Sequence, residues 1–417
     1  MTTSAVRPRL LVLNEYYWPG LEATARLLAE LCEALAEEVD VTVLTGALRG
    51  RPELPGKERR RGVEIVRVRS TTFDRAQLPA RAANYVSYLG LAMQAGLSAP
   101  RPDAVLCMTD PPIVGNVALV VARRFRSPLV VISQDVFPEI AVELGRLDSR
   151  PLASLLRVLV RFYLERADRV VAIGETMRQR LEDKGADRSR LRVIPNWVDT
   201  VELTPQPRDN PWARRHKLHD RFVVMHSGNV GHAQNLDALV RAGTFLRDLR
   251  RLRILIVGTG ARHHALVALA RRLEADRVSF MSYQPRELLS QSLSAADVHV
   301  IGLAPGLAGY VVPSRILGVL AVGRPVIVAA DDRSEVARIV REAECGFVVP
   351  PARPELLAGA IRDAYAGRDE LAEMGRRGRE WVERQAGREI AIERYRRLLE
   401  EVREERLAGV GATSMER

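Results

Sequence analysis

Two glycine-containing turns in the second half of the chain are candidate binding sites for a phosphate group. Each follows a short apolar run; the first contains Ser227, Gly228 and Asn229, and the second contains Gly258 and Gly260. Small residues after a strand allow a phosphate group to approach backbone N–H groups. Glycine is also common in turns for conformational reasons alone. The turns therefore indicate a phosphate site only in combination with other residues.

Two later segments supply charged candidates. Pro313 and Ser314 precede a helical pattern, which predicts Ser314 at the N-cap and Arg315 in the first turn. Arg315 could hold a diphosphate through paired hydrogen bonds, or it could be an ordinary solvated arginine. Glu335 begins another helical pattern, where its carboxylate could accept hydrogen bonds from a ribose or simply stabilise its own helix.

The first half offers candidates for binding an acceptor. Asp135 and Glu139 follow a buried strand pattern, and one of them could face a reacting hydroxyl, although Asp135 could equally be an N-cap. An earlier turn is rich in aromatic residues, whose rings could stack on a sugar or plug the core. We assign to acceptor binding Tyr16, Tyr17, Trp18, Gly20, Glu22 and Glu139.

Several other chemistries lack their motifs. The sequence has no P-loop, no His-Glu-x-x-His motif, no Gly-x-Ser-x-Gly elbow and no spaced cysteine pairs. Asp331 and Asp332 are adjacent rather than spaced as a metal site requires, and His263 and His264 point about 100° apart on a helix. The first βα turn lacks Gly-x-Gly-x-x-Gly, which disfavours a nicotinamide cofactor. We expect no cofactor and no metal.

The charge balance does not indicate a nucleic-acid partner. The 417 residues include 63 Lys and Arg and 52 Asp and Glu, for a net charge of +11, but the excess is spread along the chain without a basic stripe. The cysteines, Cys32, Cys107 and Cys345, are isolated within apolar runs, which predicts buried thiols in a reducing compartment.

Short apolar runs alternate with longer helical patterns, which predicts an α/β fold with parallel sheets. Thirteen strands are expected: 9–14, 39–45, 63–69, 103–108, 128–133, 169–173 and 191–194, then 221–226, 253–257, 277–280, 297–301, 325–329 and 346–349. A proline-rich polar stretch between the two sets predicts a linker. We expect Rossmann-like domains at 1–205 and 206–385, with a C-terminal helix at 386–417 that packs back on the first.

No run of about 18 uncharged apolar residues predicts a membrane span. We therefore expect a cytoplasmic protein, which could still lie at the inner face of the membrane. The segments Leu78–Leu97 and Leu152–Leu164 could be interfacial amphipathic helices or, alternatively, ordinary helices that face a sheet.

The chain resembles the retaining GT-B glycosyltransferases of family 4, in the branch of WbuB and WcaI. The resemblance is carried by five segments: YYWPGLEATARLLAELCEAL, QDVFPEIAVELG, VIPNWVD, SGNVGHAQNLD and VVPSRILGVLAVGRPVIVAADDRSEVARIV. It implies two Rossmann-like domains with parallel sheets that face each other across a cleft, with the donor on the second domain and the acceptor on the first. It also implies that Arg315 stabilises the departing diphosphate, that Asp135 is a modest candidate for the base, and that the nucleobase lies near Tyr283 and Gln284.

Two pairs of positions depart from the common family pattern. Tyr310 and Gly318 stand where the family has two glutamates, and Asn229 and Gln234 stand where it has an arginine and a lysine. These changes are similar to those of the WbuB-like branch, and they leave Glu335 as the substitute ribose contact.

The resemblance implies a retaining, metal-independent transferase that uses a nucleotide-diphosphate sugar, with a UDP-sugar favoured. The acceptor is expected to be a saccharide, lipid-linked in the related branch, in cell-surface polysaccharide biosynthesis. Three alternatives remain: a transferase that acts on a soluble small molecule or natural product, a nucleotide-sugar epimerase, and a non-catalytic scaffold that binds sugar nucleotides.

Overall fold

A computed structural model describes residues 7–20, 22–51, 53–74 and 78–415. The predicted domain ranges also include residues 1–6, 21, 52, 75–77 and 416–417, which lie outside the described residues. The chain divides into two compact units. The first comprises 1–142, 147–194 and 392–417, and the second comprises 143–146 and 195–391. The main division thus falls at Ile194, eleven residues before the linker proline that the sequence indicates.

The first unit is a sheet flanked by helices. Its strands are β1 (Arg9–Leu13), β2 (Asp40–Thr45), β3 (Lys57–Arg60), β4 (Val63–Arg67), β5 (Ala104–Met108), β6 (Leu129–Ser133), β7 (Arg169–Ala172) and β8 (Leu191–Val193). Its helices are α1 (Ala23–Leu35), α2 (Leu78–Leu97), α3 (Val114–Phe125), α4 (Glu139–Glu143), α5 (Arg150–Leu164) and α6 (Glu175–Asp183).

The strand order of this sheet is β3-β4-β2-β1-β5-β6-β7-β8, and only the β3–β4 pair is antiparallel. The central strands are continuous apolar runs because helices cover both faces of a parallel sheet; β5 and β6 are buried along their whole length. The chain continues from β1 to β2 on one side of β1 in the sheet, whereas β5 lies on the other side of β1. The topological switch point therefore lies between β1 and β5.

The second unit repeats this architecture with fewer strands. Its strands are β9 (Phe222–Ser227), β10 (Leu252–Val257), β11 (Val278–Met281), β12 (Val298–Gly302), β13 (Val326–Ala329) and β14 (Gly346–Val349). Its helices are α7 (Pro211–Arg215), α8 (Asp237–Thr244), α9 (His263–Arg272), α10 (Leu289–Ser294), α11 (Arg315–Ala321), α12 (Glu335–Ala343), α13 (Pro354–Ala366) and α14 (Arg368–Gln385).

All neighbours in this sheet are parallel, in the order β11-β10-β9-β12-β13-β14. Its core is formed by aliphatic strand residues packed under the helices, such as Val224, Ile254, Ile256 and Val300, each at most 1% exposed. The switch point lies between β9 and β12. Ligands of open parallel sheets bind at the carboxyl ends of the strands at such a point.

The last helix, α15 (Arg388–Met415), follows α14 after a short break. From Ile392 onward it belongs to the first unit. Arg169, at the start of β7, is 7% exposed and forms ion pairs with Glu401 and Glu405 of this helix. Arg396 forms another with Glu37 at 3.0 Å. The final helix is thus attached to the first sheet by charge pairs as well as by apolar packing.

Candidate functional site

Arg315 lies at the switch point of the second unit. It is the first residue of α11, which follows β12, and its guanidinium reaches the end of the neighbouring strand β9. A Cβ atom placed on Gly228 would lie 3.5 Å from Arg315 Cζ, so the guanidinium rests against the backbone of this turn. Arg315 Nη1 lies 2.7 Å from Nε2 of His226 and 3.4 Å from the carbonyl oxygen of Asn229.

The charge of Arg315 has no acidic partner. Throughout the described part of the chain, no carboxylate lies within ion-pair distance of it. The side chain is only partly exposed, and desolvation by the surrounding protein lowers the pKa of Arg315 to about 10. The guanidinium remains cationic at neutral pH and is available to an anion.

The two glycine turns pack against each other beside this cation. Gly228 and Gly258 have φ angles of 139° and 140°, and a Cβ on Gly258 would lie only 2.0 Å from the carbonyl oxygen of Gly228. Gly260, with φ of 157°, is similarly close to the carbonyl of Val230. Side chains are therefore excluded from the turns for steric reasons. The N–H groups of Gly228 and Gly258 donate to carbonyl oxygens of neighbouring strands, which ties the two turns to the sheet. Ser227 and Asn229 complete the first turn, and the side chain of Asn229 is exposed.

Tyr283 provides an exposed aromatic ring next to the second turn. It is 52% exposed, its hydroxyl donates to the Thr259 carbonyl at 3.3 Å, and a Cβ on Gly258 would be 3.4 Å from its ring. Gln284, in contrast, uses its side-chain amide within the protein. Its Oε1 accepts from Trp212 Nε1 at 2.8 Å and its Nε2 donates to the Ser282 carbonyl at 3.0 Å. Of the two residues, only Tyr283 offers a free side-chain surface.

Ser314 departs from its expected geometry. It occupies the N-cap position of α11, but its backbone is helical (φ −61°, ψ −18°) and its side chain makes no capping hydrogen bond. The predicted N-cap position of Ser314 is confirmed, although its hydroxyl does not cap the helix. The preceding Pro313 is buried and fixes the entry into the helix. Because Ser314 turns early into helical geometry, its hydroxyl does not reach back to the first-turn N–H groups.

Glu335 lies at the start of α12, where Ser334 is the capping residue and accepts from Ala337 N at 3.3 Å. The Glu335 carboxylate is 3% exposed and accepts two hydrogen bonds from Arg338, at 3.0 and 2.6 Å. Both readings of the sequence are therefore compatible with its position, but its charge is already compensated. Arg338 is a partner that the sequence analysis did not single out, although the i, i+3 spacing makes it visible.

The aromatic turn after β1 points largely into the first unit. Tyr16 is 7% exposed and Tyr17 is 1% exposed, and burial holds the pKa of Tyr17 well above its usual value. The Tyr17 ring is thus a core residue and cannot stack on a sugar in this conformation. Trp18 is partly exposed, with the Arg60 guanidinium 4.4 Å from its ring centroid. Of the three rings, Trp18 offers the best contact for a ligand.

The remaining acceptor candidates differ in availability. Gly20 closes the turn by donating from its N–H to the Tyr17 carbonyl at 2.8 Å, and Glu22 stands at the N-cap of α1 without capping it. Glu139 forms ion pairs with Arg157 at 3.1 Å and with Lys184 at 2.5 Å. Because both ion pairs use the Glu139 carboxylate, we interpret its role as structural.

Asp135 follows β6 and its side chain is reached by solvent. Desolvation by the protein around it raises the pKa of Asp135 to about 7, and the Asp110 carboxylate after the adjacent strand β5 adds to the rise. The Asp135 side chain is not at an N-cap, because the next helix, α4, begins only at Glu139. The backbone carbonyl of Asp135 accepts a hydrogen bond from Ser133 Oγ at 3.0 Å. A carboxyl group that titrates near neutrality is suited to proton transfer.

His226 is a site residue that the sequence reasoning missed. It is fully buried in β9 and contacts Arg315, 89 positions later in the chain. The only local signal is a histidine inside an otherwise aliphatic strand, next to a glycine turn. Elsewhere, among the residues described, no group of three or more His, Cys, Asp or Glu side chains could hold a metal ion. Nor, over the same residues, is any helix both long and apolar enough to span a membrane.

Two family models match the chain, one for each half. The glycosyl transferase 4-like domain matches residues 22–197, and the glycosyl transferases group 1 domain matches residues 209–381. Among curated proteins, the chain is 29% identical over 278 residues to the probable glycosyltransferase WbjE of Pseudomonas aeruginosa, a match that covers 66% of this chain and 68% of WbjE.

It is also 26% identical over 248 residues to WcaI of Escherichia coli K12, a putative colanic acid biosynthesis glycosyl transferase. That match covers 58% of this chain and 60% of WcaI, less than two thirds of the relative's length. Among solved structures, Anabaena HepE in complex with UDP superposes with a TM-score of 0.73 at 15% identity, over 94% of this chain and 100% of HepE. The GT-B fold is confirmed by this likeness. The chain therefore belongs to the GT-B glycosyltransferases of family 4, in the WcaI-like branch.

Proposed function

We propose that this chain is a retaining, metal-independent glycosyltransferase that transfers a sugar from a UDP-sugar to a saccharide acceptor in cell-surface polysaccharide biosynthesis. The observation that carries the proposal is the unneutralised Arg315 guanidinium beside the paired glycine turns. A nucleoside diphosphate needs a cation, and the Arg315 guanidinium supplies one beside turns whose glycines carry no side chain.

The donor contacts follow from this placement. Arg315 and the turn at Ser227 to Asn229 bind the diphosphate, with Gly258, Gly260, Pro313 and Ser314 as neighbours. The exposed ring of Tyr283 stacks on the nucleobase, and Gln284 contributes through its backbone because its amide is engaged. Glu335 faces the ribose with its Arg338-bound carboxylate. UDP is favoured because HepE, of the same fold, is known in complexes with UDP and with UDP-glucose.

The acceptor binds the first unit at the turn of Trp18, Gly20 and Glu22. Tyr16, Tyr17 and Glu139 support this turn and its neighbourhood from within the unit. The name of WcaI, a putative colanic acid biosynthesis glycosyl transferase, supports a saccharide acceptor in polysaccharide assembly. The lipid-linked form of that saccharide is part of the proposal.

The chemistry that these groups support is the loss of a diphosphate from the anomeric carbon. Arg315 stabilises the negative charge that develops on the departing phosphate. The acceptor hydroxyl then attacks the anomeric carbon on the face that the diphosphate leaves, so the anomeric configuration is retained. The proton of this hydroxyl passes to the leaving phosphate. Asp135, with a pKa near 7, is the side chain that could assist this proton transfer.

The test is donor turnover in EDTA with a panel of UDP- and GDP-sugars and saccharide acceptors, measured as release of nucleoside diphosphate. We expect release from a UDP-sugar and a loss of about 100-fold or more in Arg315→Ala, as for removal of a group that stabilises developing charge. Arg384→Ala, which removes an exposed arginine of α14, is the matched control and should keep full activity.

Other outcomes identify the alternatives. Donor binding without turnover for any acceptor supports a non-catalytic scaffold, and isomerised donor without transfer supports an epimerase. Transfer only to soluble small molecules contradicts the polysaccharide assignment. Full activity of Arg315→Ala means that the diphosphate binds elsewhere.

We also propose that the first unit contacts an anionic membrane surface through α2, α3 and α5, which we call the acid-free face. The three helices pack side by side, and their 47 residues contain six arginines and no Asp or Glu. Large apolar side chains on this face are exposed: Val86, Met93, Leu97, Val120, Leu152, Leu155, Val158 and Phe162. Arginine together with exposed apolar residues favours an anionic lipid interface.

This contact is tested by sedimentation with phosphatidylglycerol and phosphatidylcholine vesicles. Binding to the anionic vesicles is expected to fall about tenfold in Val158→Glu, because a charge enters the apolar stripe of α5. Val201→Glu is the control, since Val201 is even more exposed, at 86%, but lies in the second unit. Equal binding of both variants, or no preference for anionic vesicles, contradicts the proposal.

A further inference from the structure

His226 occupies an unusual position for a polar side chain. It is the penultimate residue of β9, in the middle of the second sheet, and it is 0% exposed. Its ring nonetheless faces the guanidinium of Arg315 rather than another core residue. The imidazole therefore contacts the Arg315 guanidinium from within the sheet at the switch point.

The distances around the ring favour a proton on Nδ1 over one on Nε2. A guanidinium can only donate hydrogen bonds, so Arg315 Nη1 donates to His226 Nε2 at 2.7 Å, and Nε2 must hold a lone pair. The proton of the neutral ring is then on Nδ1, which faces the carbonyl oxygen of Val300 at 3.3 Å. The other tautomer would use two longer contacts, from Nε2 to the Asn229 carbonyl oxygen and from Nδ1 to Arg315 Nη1, each 3.4 Å. The 2.7 Å contact between Arg315 Nη1 and Nε2 therefore favours the proton on Nδ1.

The surroundings keep the ring neutral. Burial lowers the pKa of His226 well below its usual value, and the positive charge of Arg315 lowers it further. His226 therefore remains a hydrogen-bond acceptor at physiological pH.

A neutral partner has a consequence for the charge of the arginine. Arg338 is held by the carboxylate of Glu335, and Arg262 by that of Asp237, so the charge of each is compensated. Arg315 is held by an imidazole and by the Asn229 carbonyl, neither of which carries a charge. The guanidinium is thus oriented without being neutralised, and its remaining N–H groups are available for phosphate oxygens.

We propose that His226 is a positioning residue, a neutral imidazole protonated on Nδ1 that orients the Arg315 guanidinium for the donor diphosphate. This inference rests on the proposed function of Arg315. It adds a residue from a neighbouring strand to the donor site, and it explains why a core position of β9 carries a polar ring.

The test compares two substitutions of His226 with one at a matched position. His226→Met removes the acceptor at similar volume, whereas His226→Gln keeps an acceptor oxygen near the position of Nε2. His299 is the control, because it is also 0% exposed, lies on the adjacent strand β12, and bonds through Nε2 to the Leu293 carbonyl at 2.9 Å without contacting Arg315. The dissociation constants of UDP and GDP are measured by calorimetry, together with thermal stability.

We expect His226→Met to weaken nucleotide binding about tenfold, the loss typical of one hydrogen bond to a charged group. His226→Gln should restore binding to within about threefold of wild type, and His299→Met should leave it unchanged even where it lowers the melting temperature. Equal effects of His226→Met and His299→Met would mean that His226 only fills the core, which overturns the inference.

A second measurement does not depend on variants that fold. Nitrogen-15 NMR of histidine-labelled wild-type protein should show His226 protonated on Nδ1 and unprotonated on Nε2, with and without UDP. A ring protonated on Nε2, or on both nitrogens at pH 7, overturns the inference. If wild type binds no nucleotide at all, the proposed function fails, whereas nucleotide binding that depends on Arg315 but not on His226 refutes only this inference.

Discussion

The turns after β1 and β9 occupy equivalent positions in the two units, yet their side chains have different surroundings. Both turns follow a strand at a topological switch point. The β9 turn contains Gly228, which places no side chain between the turn and the Arg315 cation. The β1 turn places Tyr16 and Tyr17 inside the core and leaves only Trp18 partly exposed. Position in the fold therefore determines where a turn lies, whereas side-chain size determines whether the turn remains open.

The two units also differ in how the charged side chains named here are compensated. In the first unit, Glu139 is held by Arg157 and Lys184, and the buried Arg67 is paired with Glu58. In the second unit, the acceptors that Arg315 contacts among the described residues are all neutral. A buried charge without a counterion is costly unless a ligand compensates it. The comparison favours the second unit as the one that binds an anion.

The largest expected effect tests whether the β1 turn is core. Tyr17→Ala should lower the free energy of unfolding by about 3–5 kcal/mol, as is typical when a buried aromatic ring is removed. The same change at the exposed Tyr283 should cost less than about 0.5 kcal/mol while weakening nucleotide binding. Urea unfolding monitored by circular dichroism measures both. Comparable losses of stability at the two tyrosines would contradict the distinction between the turns.

A smaller effect tests the contact between the glycine turns. Gly258→Ala should destabilise the protein by about 1–3 kcal/mol, since a Cβ there meets the Gly228 carbonyl and φ is 140°. Nucleotide binding should weaken as well, because the backbone must shift. Gly359→Ala is the control, since a Cβ on that helical glycine meets nothing within 4 Å. It should be neutral or stabilise α13 by up to about 1 kcal/mol. A Gly258→Ala protein with unchanged stability and binding would show that the turns do not need this close approach.

The last expected effect concerns the dependence of stability on pH through Asp135. Its folded-state pKa of about 7 lies above the usual value near 3.9. Its stabilising contribution is therefore complete below about pH 4 and is lost as the pH rises through 7. Asp135→Asn stays neutral, so its stability relative to wild type should increase between pH 4 and pH 8. Unfolding titrations at several pH values measure this difference.

Asp187→Asn is the control of opposite sign. Hydrogen bonds from Ser189 hold the pKa of Asp187 below its usual value, so its stabilising contribution is already complete at pH 5. The stability of Asp187→Asn relative to wild type should therefore not change between pH 5 and pH 8. A flat profile for Asp135→Asn as well would show that the Asp135 carboxyl titrates normally.

The strand pattern could be predicted to within a few residues. Thirteen of the fourteen strands in the described structure correspond to apolar runs, because strands buried on both faces must be continuously apolar. The exception is β3, whose sequence KERR has no apolar residue. It forms only by antiparallel pairing at the edge of the sheet, and an edge strand exposed to water needs no apolar pattern.

The candidate site was accessible to sequence reasoning only in part. The glycine turns and Arg315 could be identified because glycine spacing and a Pro-Ser-Arg start are local signals. Ser314 lies at the predicted N-cap position, but the lack of a capping hydrogen bond could not be predicted, because that bond depends on backbone torsions that the loop determines. Tyr17 was assigned to a ligand although it is core, because an aromatic residue in a turn has the same pattern in either role.

The sequence by itself determined the α/β class, the order of most strands and the glycine turns, because these depend on local periodicity and on the steric freedom of single residues. Tertiary structure decided which side chains meet. His226 and Arg315 are 89 positions apart, and they come together because β9 and β12 are neighbours at the switch point. The absence of a carboxylate around Arg315, within the described residues, is likewise a property of the packed strands and turns. No short-range pattern in the chain encodes it.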